Sequence, residues 1–115
     1  QKSLSHISKE VKQLAGKAKN KTLEPKEWEG NTFTISNLGM FGIDEFTAIV
    51  NPPDACILAV GGSKETVIVR NGQMEIANIM RVTLSCDHRV VDGATGSQFL
   101  QTLKAYLEQP ATMLV

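Results

Sequence analysis

Apolar residues recur at Ile7, Val11, Leu14 and Ala18, with Lys9, Lys12, Lys17 and Lys19 between them. This spacing predicts an amphipathic helix from about Ser5 to Lys19, with Ser3 or Ser5 placed to cap its start. The pattern then lapses. Lys21 to Gly30 is polar, Glu24-Pro25 prevents a simple continuation of the helix, and Pro25 is suited to open a short turn in which Trp28 anchors the loop. From Thr32 to Ser36 polar and apolar residues alternate with the period of a half-buried strand. The two glycines within Asn37-Leu38-Gly39-Met40-Phe41-Gly42 break that period and leave Ser36 at a strand end.

Ala55 to Val60 is a continuous apolar run before Gly61-Gly62, as expected of a buried central strand. Thr66 to Arg70 and Gln73 to Ile76 flank Asn71-Gly72, a strong hairpin signal, and Met80 to His88 reads as a further strand. Phe99, Leu103, Tyr106 and Leu107 fall on one helical face, predicting a helix from Asp92 to Leu107 that Pro110 ends. Helices at the ends with strands between them indicate an α+β fold, a mixed sheet covered on one face by helices. No internal repeat or low-complexity segment interrupts this order.

Composition narrows the classes of partner. The 115 residues fit one small domain, and 42% hydrophobic with 21% charged residues is a globular balance. Twelve basic residues offset twelve acidic ones, so no long-range positive field favours nucleic acid or an anionic membrane surface. No run approaches the roughly 20 apolar residues that span a bilayer. The chain opens within a helical pattern and without Met, which reads as a fragment of something longer. Cys56 and Cys86 sit in apolar runs, the setting of free thiols in a reducing compartment, so no disulfide is expected.

Candidate chemistry gathers at Cys86-Asp87-His88-Arg89-Val90-Val91-Asp92-Gly93. Strand parity puts Val82, Leu84, Cys86 and His88 on one face, so an imidazole emerges from the core face at a strand end. Partial burial there would hold it neutral, as a general base requires; a structural histidine bonded to carbonyls is an equal reading. Asp92 precedes the last helix and reads first as its cap, with support of the histidine loop or of an adjacent cation as the functional alternative. Ser36 alone is ordinary turn chemistry. Cys86 lacks the electropositive, open setting of a nucleophile, and Cys86, His88, His6 and Cys56 lack metal-ligand spacing, so no metal is expected. The glycine-rich stretches lack a phosphate-binding pattern.

The heptad Asp87-His88-Arg89-Val90-Val91-Asp92-Gly93 resembles the active-site signature of the dihydrolipoamide acyltransferases, whose fold is shared with chloramphenicol acetyltransferase. Phe33-Thr34-Ile35-Ser36-Asn37-Leu38-Gly39, Asn51-Pro52-Pro53, Ala55-Cys56-Ile57-Leu58-Ala59-Val60-Gly61 and Tyr106-Leu107-Glu108-Gln109-Pro110 resemble the family in the same order. Leu38-Gly39-Met40-Phe41-Gly42, with Phe46 and Ala48, is similar to the pyruvate dehydrogenase branch, which implies an acetyl group.

The resemblance implies a two-layer, chloramphenicol-acetyltransferase-like sandwich, of which residues 1–115 would be the C-terminal part of the catalytic domain. It implies coenzyme A and a lipoyl group as substrates, His88 as general base, Ser36 as donor to the oxyanion, and Asp92 as an organising residue. Residues that bind coenzyme A are not identified. It further implies a homotrimer with His88 and Ser36 meeting across its interface, and a larger core joined through the apolar tail Ala111 to Val115. Lipoyl domains and other dehydrogenase components would be partners, in a bacterial cytoplasm, a mitochondrial matrix or a plastid. Three alternatives stay open: a non-catalytic core component, transfer of another acyl group, and a chloramphenicol-acetyltransferase-like enzyme with a hydroxyl acceptor.

Overall fold

The computed structural model describes residues 2–111, the Trp28 side chain excepted, so the anchoring role expected of that side chain lies outside the described residues. The described backbone forms two units, divided between Asn31 and Thr32. In the first, α1 runs Leu4–Lys19, and of the two candidate caps Ser3 serves: its side chain accepts from the His6 amide at 3.2 Å. Lys17 and Lys19 lie in the last turn, where cations suit the helix dipole. Pro25 opens a one-turn helix, α2 (Pro25–Trp28), as its fixed φ favours. The Lys17 Nζ donates to Glu27 Oε1 at 2.6 Å and ties α2 to α1.

Among its described residues the second unit contains five strands: β1 (Phe33–Asn37), β2 (Cys56–Val60), β3 (Lys64–Arg70), β4 (Gln73–Ile79) and β5 (Val82–Cys86). They form two sheets rather than one. The larger is mixed, in the order β1-β2-β5, with β1 parallel and β5 antiparallel to the central β2. The smaller is the β3-β4 hairpin, which pairs Arg70 with Gln73 and leaves Asn71 (φ 55°) and Gly72 (φ 78°) as a two-residue loop. Positive φ at both central positions is what a tight hairpin turn with right-handed strand twist demands. The ribbon is longer than the apolar pattern predicts, because pairing continues to Lys64 and Ile79 through polar residues.

The continuous apolar run forms the core strand as expected: Cys56, Ile57, Leu58 and Ala59 are all buried. On β1 the alternation is present, but the less exposed side is the polar one. Thr34 and Ser36 are half-buried while Ile35 is 66% exposed. The reason is a neighbouring segment: β1 is an edge strand, and the Thr34 hydroxyl donates to the carboxylate of Asp54, itself buried just before β2.

Helix α3 (Gly93–Glu108) packs against β5. Its buried line is Gly96 with the half-buried Leu100 and Leu103, a helical spacing; Phe99, Tyr106 and Leu107 of the predicted face are more exposed. The shift follows from Gly96, which lets the helix backbone approach the sheet. A Cβ there would stand 3.5 Å from Cys86 Sγ and 3.7 Å from Leu84 Cδ2. Phe99 still reaches Phe33, ring centres 5.6 Å apart.

Candidate active site at the end of the central sheet

Strand β5 ends at Cys86, two residues earlier than the apolar pattern indicates, so His88 stands in a turn and not on the strand. It nevertheless keeps the parity of Leu84 and Cys86. With them and Asp92, Gly93, Gly96, Ser97 and Leu100 it lines a cavity of about 150 Å³ between β5 and the start of α3. The expected partial burial is corrected: His88 is exposed in this chain, because the strand ends at Cys86 and the imidazole stands in the turn that follows.

Asp92 caps α3, accepting from the Thr95 amide at 2.8 Å. That bond first, then the Thr95 hydroxyl, and further the charge of nearby His88, hold its carboxyl below the usual range. The capping reading of Asp92 thus holds, and the same residue lines the cavity beside His88.

Cys56 and Cys86 are cross-strand partners and free thiols, the Cys56 thiol donating to Cys86 Sγ at 3.2 Å. Burial, followed by that neighbour, pushes the Cys56 thiol up to about 11, the opposite of what a nucleophile needs. Among the described residues no three His, Cys, Asp or Glu side chains converge as metal ligands, and no helix is long and apolar enough to cross a membrane. A second cavity, of about 310 Å³, is lined by Asp44, Glu45, Lys64 and Arg81. Those charges pair with one another, Lys64 with Asp44 and Arg81 with Glu45.

The structure does not bring Ser36 to His88. Registers Ser36↔Ala59↔Thr83 and Phe33↔Cys56↔Cys86 put the serine on the opposite sheet face from Cys86, two strands away. The serine is also at the other end of the strands. It lies three pairing levels from Cys86, roughly 10 Å along the strands at about 3.3 Å per residue, and His88 follows beyond Cys86 in the turn. Ser36 leads into a tight corner. The Asn37 side chain accepts from Gly39 N at 2.9 Å, a 3₁₀ turn covers Gly39–Phe41, and Gly42 closes it at φ 77°.

The sequence pattern alone did not single out the pair Asp87 and Arg89. The Asp87 carboxylate accepts from Arg89 Nε at 3.0 Å, Nη2 at 2.8 Å and the Arg89 amide at 3.0 Å. The Arg89 guanidinium, then the amide, hold the Asp87 carboxyl down to about 2. An aspartate opening a turn immediately after a strand is the signal that announces such a motif.

The family profile of the 2-oxoacid dehydrogenases acyltransferase (catalytic domain) matches residues 1–115. The chain belongs to this acyltransferase family. It is 55% identical, over all of its length, to the dihydrolipoyllysine-residue acetyltransferase component of the pyruvate dehydrogenase complex of Rickettsia felis, and covers 28% of that relative. With component 3 of the mitochondrial complex of Arabidopsis thaliana it shares 55% identity over 99% of its length, covering 22% of the relative. The chain thus spans about a quarter of the length of the curated relatives it matches.

Among solved acyltransferase structures, one from Azotobacter vinelandii superposes with a TM-score of 0.95 at 36% identity, covering all of this chain and 47% of that one. That work concerns the roles of a serine, a histidine and an asparagine in the mechanism of dihydrolipoamide acetyltransferase. The cubic core of the pyruvate dehydrogenase multienzyme complex matches with a TM-score of 0.95 at 35% identity, covering 100% of this chain and 47% of that chain. The α+β fold expected from the resemblance is therefore the one this chain shares with these solved structures.

Proposed function

We propose that residues 1–115 are the C-terminal part of an acyltransferase catalytic domain that moves an acetyl group between a lipoyl thiol and coenzyme A in a pyruvate dehydrogenase complex. The observation that carries the residue assignment is a spacing. In the Azotobacter vinelandii protein the serine precedes the histidine by 52 residues and the asparagine follows it by four; Ser36, His88 and Asp92 repeat both intervals. Aspartate replaces asparagine here, and both residue types are favoured at helix N-caps, the position Asp92 holds.

In this reading His88 takes the thiol proton of coenzyme A, and the sulfur attacks the thioester carbonyl of the acetylated lipoyl group. The Ser36 hydroxyl donates to the oxyanion so formed. Collapse expels the lipoyl sulfur, which recovers the proton from His88. Asp92 holds the end of the histidine loop. Because one chain keeps Ser36 and His88 on opposite faces and ends of its sheet, a working site takes the serine from a second copy. This supports the homotrimer, and the cubic core of a structural neighbour supports assembly of trimers into a larger core, with lipoyl domains and other dehydrogenase components as partners. The adjacent free thiols suit a reducing compartment, a bacterial cytoplasm or an organelle interior such as the mitochondrial matrix.

His88→Ala in the full-length protein is the test, read as acetyl transfer from acetyl-CoA to dihydrolipoamide beside chloramphenicol as acceptor. Turnover should fall ~100 to 10,000-fold with folding unchanged, because His88 stands in a turn outside the core of the chain, and native mass is measured alongside. Near-normal turnover would remove the assignment, and preference for chloramphenicol would transfer it to the hydroxyl-acceptor chemistry.

A further inference from the structure

We infer that Asp87 and Arg89 are positioning residues for His88, a role that rests on the general-base reading above. The turn is built on Asp87. Its amide donates to the Ala55 carbonyl at 2.8 Å, which fastens the turn to the start of β2, and its own carbonyl accepts from the Val90 and Val91 amides, both at 2.9 Å. Its carboxylate closes a second ring. Oδ1 accepts from the Arg89 amide and Nε, and Oδ2 from Nη2, so the chain on either side of His88 is held by a single side chain.

The arrangement has little to do with stability. The Arg89 side chain is 86% exposed and the Asp87 side chain 22%, and an ion pair with one partner open to water contributes weakly to folding. What it does is restrict the backbone of the one residue between its two ends, and so the direction of the imidazole over the cavity. The charged and titratable groups around that imidazole are Asp87 and Arg89 beside it, Asp92 at the start of α3, and Cys86 in the cavity wall. Within this set Arg89 neutralises Asp87.

A bidentate fork matters here because lysine cannot reproduce it. Misplacing a reacting group by about 1 Å costs on the order of 100-fold in rate. Asp87→Ala in the full-length protein should therefore lower kcat by about 10- to 100-fold with KM changed less than about threefold. Asp87→Asn keeps an oxygen for the Arg89 amide and should recover part of that loss.

The experiment compares both variants with His88→Ala and Arg89→Ala in steady-state acetyl transfer, with native mass measured alongside. A kcat within about twofold of the parent for Asp87→Ala, or an Asn variant no better than the Ala variant, overturns the inference. Should Asp87→Ala fail to assemble, Arg89→Ala decides, since the bond from its amide to Asp87 survives: reduced kcat at constant KM is expected, and unchanged kcat overturns the role. An active His88→Ala variant would discard the general-base reading and this inference together. An inactive one beside a normal Asp87→Ala would discard the inference alone.

Discussion

At the Ser36 end of the central sheet three backbone segments meet with no side chain between them. Gly61 N donates to the Arg81 carbonyl at 2.9 Å and Gly62 N to the Ile43 carbonyl at 2.7 Å, while Leu38 N donates to Val60 O at 3.1 Å. A Cβ on Gly61 would overlap the Asp44 carbonyl, and one on Gly39 would stand 2.9 Å from the Gly62 Cα. Gly61→Ala must therefore displace backbone, not the tip of a flexible side chain. Overpacking of this kind costs about 1 to 3 kcal/mol. In a domain of roughly 150 to 250 residues each kcal/mol lowers Tm by about 2 to 4 °C, so a drop of ~2 to 12 °C is expected. The displaced segment adjoins Val60, the partner of Asn37, so Ser36 should shift with it and kcat should fall too. Differential scanning calorimetry and acetyl-transfer kinetics on the full-length protein measure both effects. Gly96→Ala is the contrast, because its Cβ meets only ordinary contacts at 3.5 and 3.7 Å. A Gly61→Ala protein as stable as the parent would refute the reasoning from close approach.

Ser36→Ala should reduce kcat by ~100 to 1,000-fold with little change in KM, since an oxyanion donor acts on the transition state; an effect confined to KM in steady-state kinetics would reduce Ser36 to a substrate contact. Asp87 is held at about 2, below the ordinary carboxylate value of about 3.9. Its bonds to Arg89 are thus complete above about pH 4 and are lost as pH falls through about 2. Carbon-13 NMR of labelled aspartate should show that midpoint and its rise toward the ordinary value in Arg89→Ala. Deleting Met113 to Val115, which lie outside the described residues, should leave trimers and dissolve the larger core. Light scattering that finds the native mass would exclude the tail as connector.

Elements whose signal is local were legible in the sequence. Ser3, Pro25, Asn71-Gly72 and Asp92 each fix a cap or turn by their own backbone chemistry, and the run from Cys56 to Ala59 is buried because nothing polar interrupts it. What depends on neighbours was not. The polar side of β1 is the less exposed one because a buried carboxylate 20 residues away accepts from Thr34. The end of β5 and the exposure of His88 follow from Asp87 folding back on Arg89, a contact no periodicity encodes. The heptad located the candidate base through resemblance; strand parity placed it on the right face, but at the wrong depth.

The distance between Ser36 and His88 within one chain has a genetic consequence. Copies lacking the imidazole still carry the hydroxyl, and copies lacking the hydroxyl still carry the imidazole. Two alleles, each silent alone, should therefore complement one another when their products are assembled together. In a random equal mixture about a quarter of the contacts between copies would unite an intact serine with an intact histidine.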